Sequence, residues 1–153
     1  MNFRQFALGF SLALAAACGG DDPAAPNVDG VTIGEIILVG AGTDVVYSHD
    51  DHWHGAPLVD QGSAKSYAVH FVPGSLSGDN HEIAPQELWF TLQAHPEYEL
   101  RAIIEDPSVA TWSGDRLGGS LQGTAVGSSR ITFVVRRGTT TIYEAPPLNF
   151  RVR

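Results

Sequence analysis

From residue 31 onward the chain runs in short stretches of β-branched and aromatic residues, separated by glycine, proline and small polar residues. The dominant hydrophobic period is two, the signature of strands with one buried face. Residues 31–39 form the first apolar run and 45–48 a short second one. Residues 54–59 form a third. In 67–72 the period places Tyr67, Val69 and Phe71 on one face, and in 88–93 it places Leu88, Phe90 and Leu92 together. Residues 98–104 align Tyr98, Leu100, Ala102 and Ile104. Residues 130–136 point Ile131, Phe133 and Val135 inward. The last run, 148–152, alternates Leu148, Phe150 and Val152 with Asn149 and Arg151. No window sustains a helical period, and residues 73–86 are dense in turn formers and read as a loop. The pattern predicts an all-β sandwich of about seven to nine strands.

The N-terminus follows a different pattern. Residues 6–17 are an unbroken apolar and small-residue run with Arg4 before it. The run is too short for a bilayer core, which needs roughly 20 residues, and fits the core of a signal peptide. It ends Ala15-Ala16-Ala17-Cys18, followed by Gly19-Gly20-Asp21-Asp22-Pro23. Small residues directly before a cysteine, then a Gly/Asp/Pro stretch, resemble the lipobox of bacterial lipoproteins. The resemblance implies cleavage before Cys18, lipidation of Cys18, and residence in the bacterial cell envelope on the periplasmic or surface side. Cys18 is the single cysteine, so no intramolecular disulfide can form. The organisation read from the sequence is a lipoprotein signal peptide over 1–17, a flexible Gly/Asp/Pro/Ala tether over 18–30, and one domain over 31–153.

The formal charge of the full chain is −8. Loss of Arg4 with the signal peptide makes the mature chain one unit more negative. Such a surface repels nucleic acid, which is excluded as a partner. The charge is uneven: fifteen of the 17 acidic residues precede Pro107, whereas six arginines follow it. An acidic first half of this kind attracts cations.

The C-terminal half carries a second resemblance. Asp106-Pro107-Ser108-Val109-Ala110-Thr111, followed by Gly123-Thr124-Ala125-Val126-Gly127 and then Ile131-Thr132, is similar to the group 2 bacterial immunoglobulin-like domain. The resemblance implies an immunoglobulin-like β-sandwich and covers roughly residues 106–135. It carries no activity with it, since such domains serve as spacers, adhesins and display scaffolds.

The unusual chemistry lies in the other half. His49-Asp50-Asp51-His52-Trp53-His54 packs three imidazoles and two carboxylates into six residues. On a strand, His52 and His54 share a face at a backbone separation of roughly 7 Å, and Trp53 points the other way, toward the core. Imidazole and carboxylate groups suit Zn²⁺ or Cu²⁺, which take three or four such ligands. The candidate metal ligands are therefore His49, His52, His54, His70 and His81, with His95 set apart before Pro96. His52-Trp53-His54-Gly55 equals the first copper motif of multicopper oxidases, but the other copper motifs of that family are absent. A cupin would need a glutamate shortly after His54, and none follows.

Enzymatic signatures are missing. There is no G-x-S-x-G nucleophile elbow and no phosphate-binding glycine loop, and the adjacent pairs Asp50-Asp51 and Glu105-Asp106 point to opposite faces of a strand. The sequence therefore predicts a non-enzymatic, membrane-anchored lipoprotein that binds zinc or copper for capture or buffering. Its partners would be the membrane, through the lipid, and a metal transporter or receptor. The rival reading is an immunoglobulin-like structural or protein-interaction module with no metal. For the anchor, Cys18→Ala is expected to abolish incorporation of labelled fatty acid and to release the protein from membranes. Equal membrane retention of wild type and variant would refute the lipid anchor.

Overall fold

The computed structural model describes residues 27–28, 30–74 and 82–153; Cys18 and His81 lie outside the described residues. In chain order the strands are β1 (Asn27–Val28), β2 (Val31–Val39), β3 (Val45–His49), β4 (His52–His54), β5 (Leu58–Val59), β6 (Ala64–Pro73), β7 (Tyr98–Ile104), β8 (Ala110–Asp115), β9 (Gly118–Gly123), β10 (Gly127–Arg137), β11 (Thr140–Glu144) and β12 (Leu148–Val152). They form two sheets, and among the described residues helix is limited to two single 3-10 turns, so the fold is all-β and sandwich-like. The larger sheet runs β4-β3-β2-β6-β9-β8, with β1 paired to the start of β2. The smaller runs β11-β10-β12-β5, with β7 on the other side of β10. Every ladder is antiparallel except that between β12 and β5.

Alternation gave the bounds of β7 and β12 directly, and the apolar run 31–39 gave those of β2. Weaker patterns did not. The run over 54–59 divides into β4 and β5, because Gly55 (φ 88°) turns the chain between them. The expected strand over 88–93 is instead a single bridge, Phe90 to Phe71, between 3-10 turns at Gln86–Leu88 and Leu92–Ala94. Leu88 and Trp89 donate their N–H groups to the Pro85 and Gln86 carbonyls three residues back rather than to a neighbouring strand, and Phe90 makes the bridge. Asn27 and Val28, read as tether, pair with Val31 and Thr32. The twelve strands among the described residues exceed seven to nine because β1, β4 and β5 are two or three residues long and β8, β9 and β11 lack a strong apolar alternation. The β8–β9 hairpin is glycine-rich for a steric reason. A Cβ on Gly119 would lie 2.6 Å from the Trp112 ring, and one on Gly118 (φ 153°) would overlap the Tyr67 carbonyl.

One irregularity sets the phase of β2. Between Ile33 and Glu35 the strand gains a residue against β6, so Ile33 pairs with Pro73 and Glu35 with Val72. Before the bulge Ile33 faces the space between the sheets; after it Ile36 and Leu38 do. Glu35 and Ile37 are left on the outer face.

The main core lies between the sheets and is organised around Phe133 of β10, which is fully buried. Its ring meets Trp112 of β8 edge-on at 5.2 Å and Trp53 of β4 at 6.3 Å, so one side chain of the smaller sheet touches both edge strands of the larger. Leu148, Phe150 and Val152 all point inward as the alternation requires. A second, smaller cluster covers the outer face of the larger sheet: Ile37, Val72 and Ala84, flanked by Tyr47, Ile83 and Trp89. Phe133→Ala is expected to destabilise the fold by about 3–5 kcal/mol through transfer and cavity terms, read from urea unfolding. A loss under about 1 kcal/mol would show that the two sheets do not depend on this contact.

Candidate functional site

The β3–β4 hairpin positions the histidines. Val45, Val46 and Tyr47 favour a strand, and Asp50-Asp51 makes the two-residue turn. Asp50 takes φ 48°, a left-handed conformation that aspartate tolerates better than most residues. The register sets His49 opposite His52, Ser48 opposite Trp53 and Tyr47 opposite His54. Period two then separates the faces. Trp53 goes inward, where its indole N–H donates to the Pro146 carbonyl at 2.6 Å. Tyr47, His49, His52 and His54 share the outer face.

The three imidazoles are gathered there. Ring centres are 5.8 Å apart for His49 and His52, 4.9 Å for His52 and His54, and 6.1 Å for His49 and His54. Tyr47 stacks on His54 at 4.7 Å with the planes 13° apart, which holds that ring against the sheet. The group spans a gradient of exposure. The side chain of His49 is 2% exposed, that of His52 43%, and that of Asp51 in the turn 99%. Carboxylates meet both ends of the His49 ring: Glu35 Oε1 lies 3.4 Å from Nδ1, and Asp50 Oδ2 lies 3.4 Å from Nε2. His52 Nδ1 lies 3.2 Å from Asp51 Oδ1. Among the described residues no three His, Cys, Asp or Glu side chains already hold their donor atoms at a common point.

Glu35 is the member that the sequence reading missed. It is buried, and burial raises its pKa even though His49 beside it acts in the opposite direction. Its Oε2 has no hydrogen-bond partner among the described residues. The available signal was one acidic residue within the otherwise apolar run Ile33 to Val39. Beneath this pair the Ile36 N–H, just past the end of the β2–β3 ladder, donates to Ser48 Oγ at 2.9 Å. Ser48 in turn lies 3.5 Å from the Tyr143 hydroxyl of the smaller sheet, whose pKa burial pushes up to about 12.

The remaining candidates are placed apart. His70 of β6 shares the outer face, but it is three strands from His54 through Ile37 and Tyr47, roughly 14 Å at normal strand spacing. It packs against Trp89, ring centres 5.4 Å apart. His95 lies near Glu97 and Tyr98, away from the hairpin. A shallow recess bordered by Ile103, Glu105, Arg130, Thr132 and Pro147 lies on the outer face of the smaller sheet. There the exposed Arg130 pairs with both oxygens of Glu105. Among the described residues no helix is long and apolar enough to cross a membrane. No protein-family model matches the chain, and no curated protein matches it as a relative.

Burial lowers the His70 pKa from its ordinary value of 6.5. The folded state thus favours neutral imidazole. The corresponding stability is present above pH 6.5 and is lost as pH falls below that value and through the lowered one. The drop in melting temperature between about pH 7.5 and about pH 5.5 is expected to be smaller in His70→Gln than in wild type. An equal drop would exclude His70 as a source of acid sensitivity.

Proposed function

We propose that this chain is a lipid-anchored protein of the bacterial envelope that binds a divalent transition metal, zinc or copper, through His49, His52 and His54. The observation that carries the reading is the spacing of the three rings. An ion about 2.0–2.1 Å from each ligating nitrogen holds imidazole ring centres about 5 Å apart at a tetrahedral angle. The separations of 4.9–6.1 Å are close to that value without any ion. A small rotation of the exposed His52 would turn its nitrogen from Asp51 toward a centre shared with His49 and His54. The turn carboxylates Asp50 and Asp51 add negative charge beside it. His81, a candidate from the sequence, lies outside the described residues.

The lipid anchor rests on the lipobox. Nine residue steps separate Cys18 from Asn27, a reach of at most about 30 Å. The β3–β4 turn lies at the end of the larger sheet where β2 begins and β6 ends. A site at the end of the domain where the tether enters suits transfer of an ion to or from a membrane-bound transporter or receptor.

The ligand-free alternative, an immunoglobulin-like interaction module, draws support from the donor atoms not yet meeting at one point. Thermal melts separate the two. A metal that binds only the folded state adds roughly 2.7 kcal/mol at 100 times its dissociation constant. Zn²⁺ or Cu²⁺ at micromolar concentration is expected to raise the melting temperature of the wild-type chain and to leave His52→Ala/His54→Ala unmoved. The same response from both proteins, or from neither, would replace the metal reading with the interaction module.

A further inference from the structure

We propose that Glu35 is the positioning residue of the metal site: its buried carboxylate holds the His49 ring so that Nε2 faces the ion. This inference rests on the metal-binding reading above and adds a residue from a different strand. Three observations lead to it. Glu35 Oε1 faces His49 Nδ1, and both side chains are 2% exposed, so each ring and carboxylate orientation is confined by packing. The other carboxylate oxygen is buried without a partner among the described residues. Finally, the strand bulges so that this residue, rather than an aliphatic one, stands beside the histidine.

In this assignment Glu35 is ionised and only accepts hydrogen bonds, which places the proton between the two groups on Nδ1. The lone pair is then on Nε2, which points to Asp50 at the exposed end of the group. A carboxylate behind a ligating imidazole fixes its tautomer, holds its orientation and raises its basicity. The arrangement has a cost in the absence of metal. A buried carboxylate with an unpartnered oxygen disfavours the fold, and every neighbour after the bulge, from Ile36 to Val39, is aliphatic. A purely structural position here would be better filled by another aliphatic side chain. A cation at Nε2 supplies the opposite charge that the buried group lacks.

The test compares the full-length wild type with Glu35→Gln and Glu35→Leu, titrated with Zn²⁺ in competition with a chromophoric chelator, alongside melts of the metal-free proteins. Removing a carboxylate of this kind typically weakens metal binding about 10–100-fold. That loss is expected here at one ion per chain, with metal-free melting temperatures at or above that of wild type. If both variants bind Zn²⁺ as tightly as wild type, Glu35 has no positioning role while the metal site stands. If wild type takes up no Zn²⁺, the site itself falls and this inference with it. Should the variants fail to fold, nitrogen-15 spectra of zinc-loaded wild type decide the matter. A His49 ring protonated at Nδ1 and coordinated through Nε2 supports the assignment, and coordination through Nδ1 overturns it.

Discussion

Between Ile33 and Glu35, β2 accommodates one residue more than the strand beside it, and most of what distinguishes this sandwich follows from that insertion. In a regular strand Ile33 and Glu35 would share a face, and the carboxylate would enter the space between the sheets. The bulge breaks this parity. It delivers Ile36 and Leu38 to the main core and leaves Ile37 to seed the smaller cluster under Trp89. Just after it the Ile36 N–H donates to Ser48 Oγ beyond the last pair of the β2–β3 ladder. Bulges commonly re-aim a side chain in this way. Here the re-aimed side chain is an acid beside a buried histidine.

The polar groups around that point form a layered arrangement. Ser48 and Tyr143 lie on the inner side of the larger sheet, where a hydroxyl from one sheet approaches a hydroxyl from the other. Glu35 and His49 lie on the outer side, buried but charged or polar. His52, Asp50 and Asp51 lie at the rim. Polar groups at such depth are costly unless paired. Their concentration at one hairpin contrasts with the rest of the interior, which is aliphatic and aromatic. Buried polar or charged residues among those described are limited to Glu35, Ser48, His49 and Ser129, and the first three belong to this one site.

The hairpin is supported from both faces. On the inner face Trp53 is tied to the Pro146 carbonyl and to Phe133, so the strand that carries His52 and His54 is fixed to the smaller sheet although it is only three residues long. On the outer face Tyr47 stacks on His54. A short edge strand held this way keeps its side chains in place more firmly than a free loop would, and a binding group needs that rigidity.

Much of this was legible in the sequence, and the remainder was not for a definite reason. Alternation alone determined β7 and β12, the inward triad Leu148, Phe150 and Val152, the all-β class, and the opposite facing of Trp53 and its two flanking histidines. Each of these depends on period two within a few consecutive residues. The same rule failed at residues 88–93, where local 3-10 bonds take the donors that a strand would use, and in the β8–β9 hairpin, where glycine leaves no side chain to count. Only the tertiary structure decided which histidines assemble. His70 has the right chemistry and the right face, yet β2 and β3 stand between it and β4. Glu35 joins His49 across 14 residues, because a bulge reverses the face it would otherwise occupy. Alternation specifies which side of its own strand a residue takes. It carries no information on which strands become neighbours or where a ladder gains a residue, and those two facts bring the acid and the imidazole together.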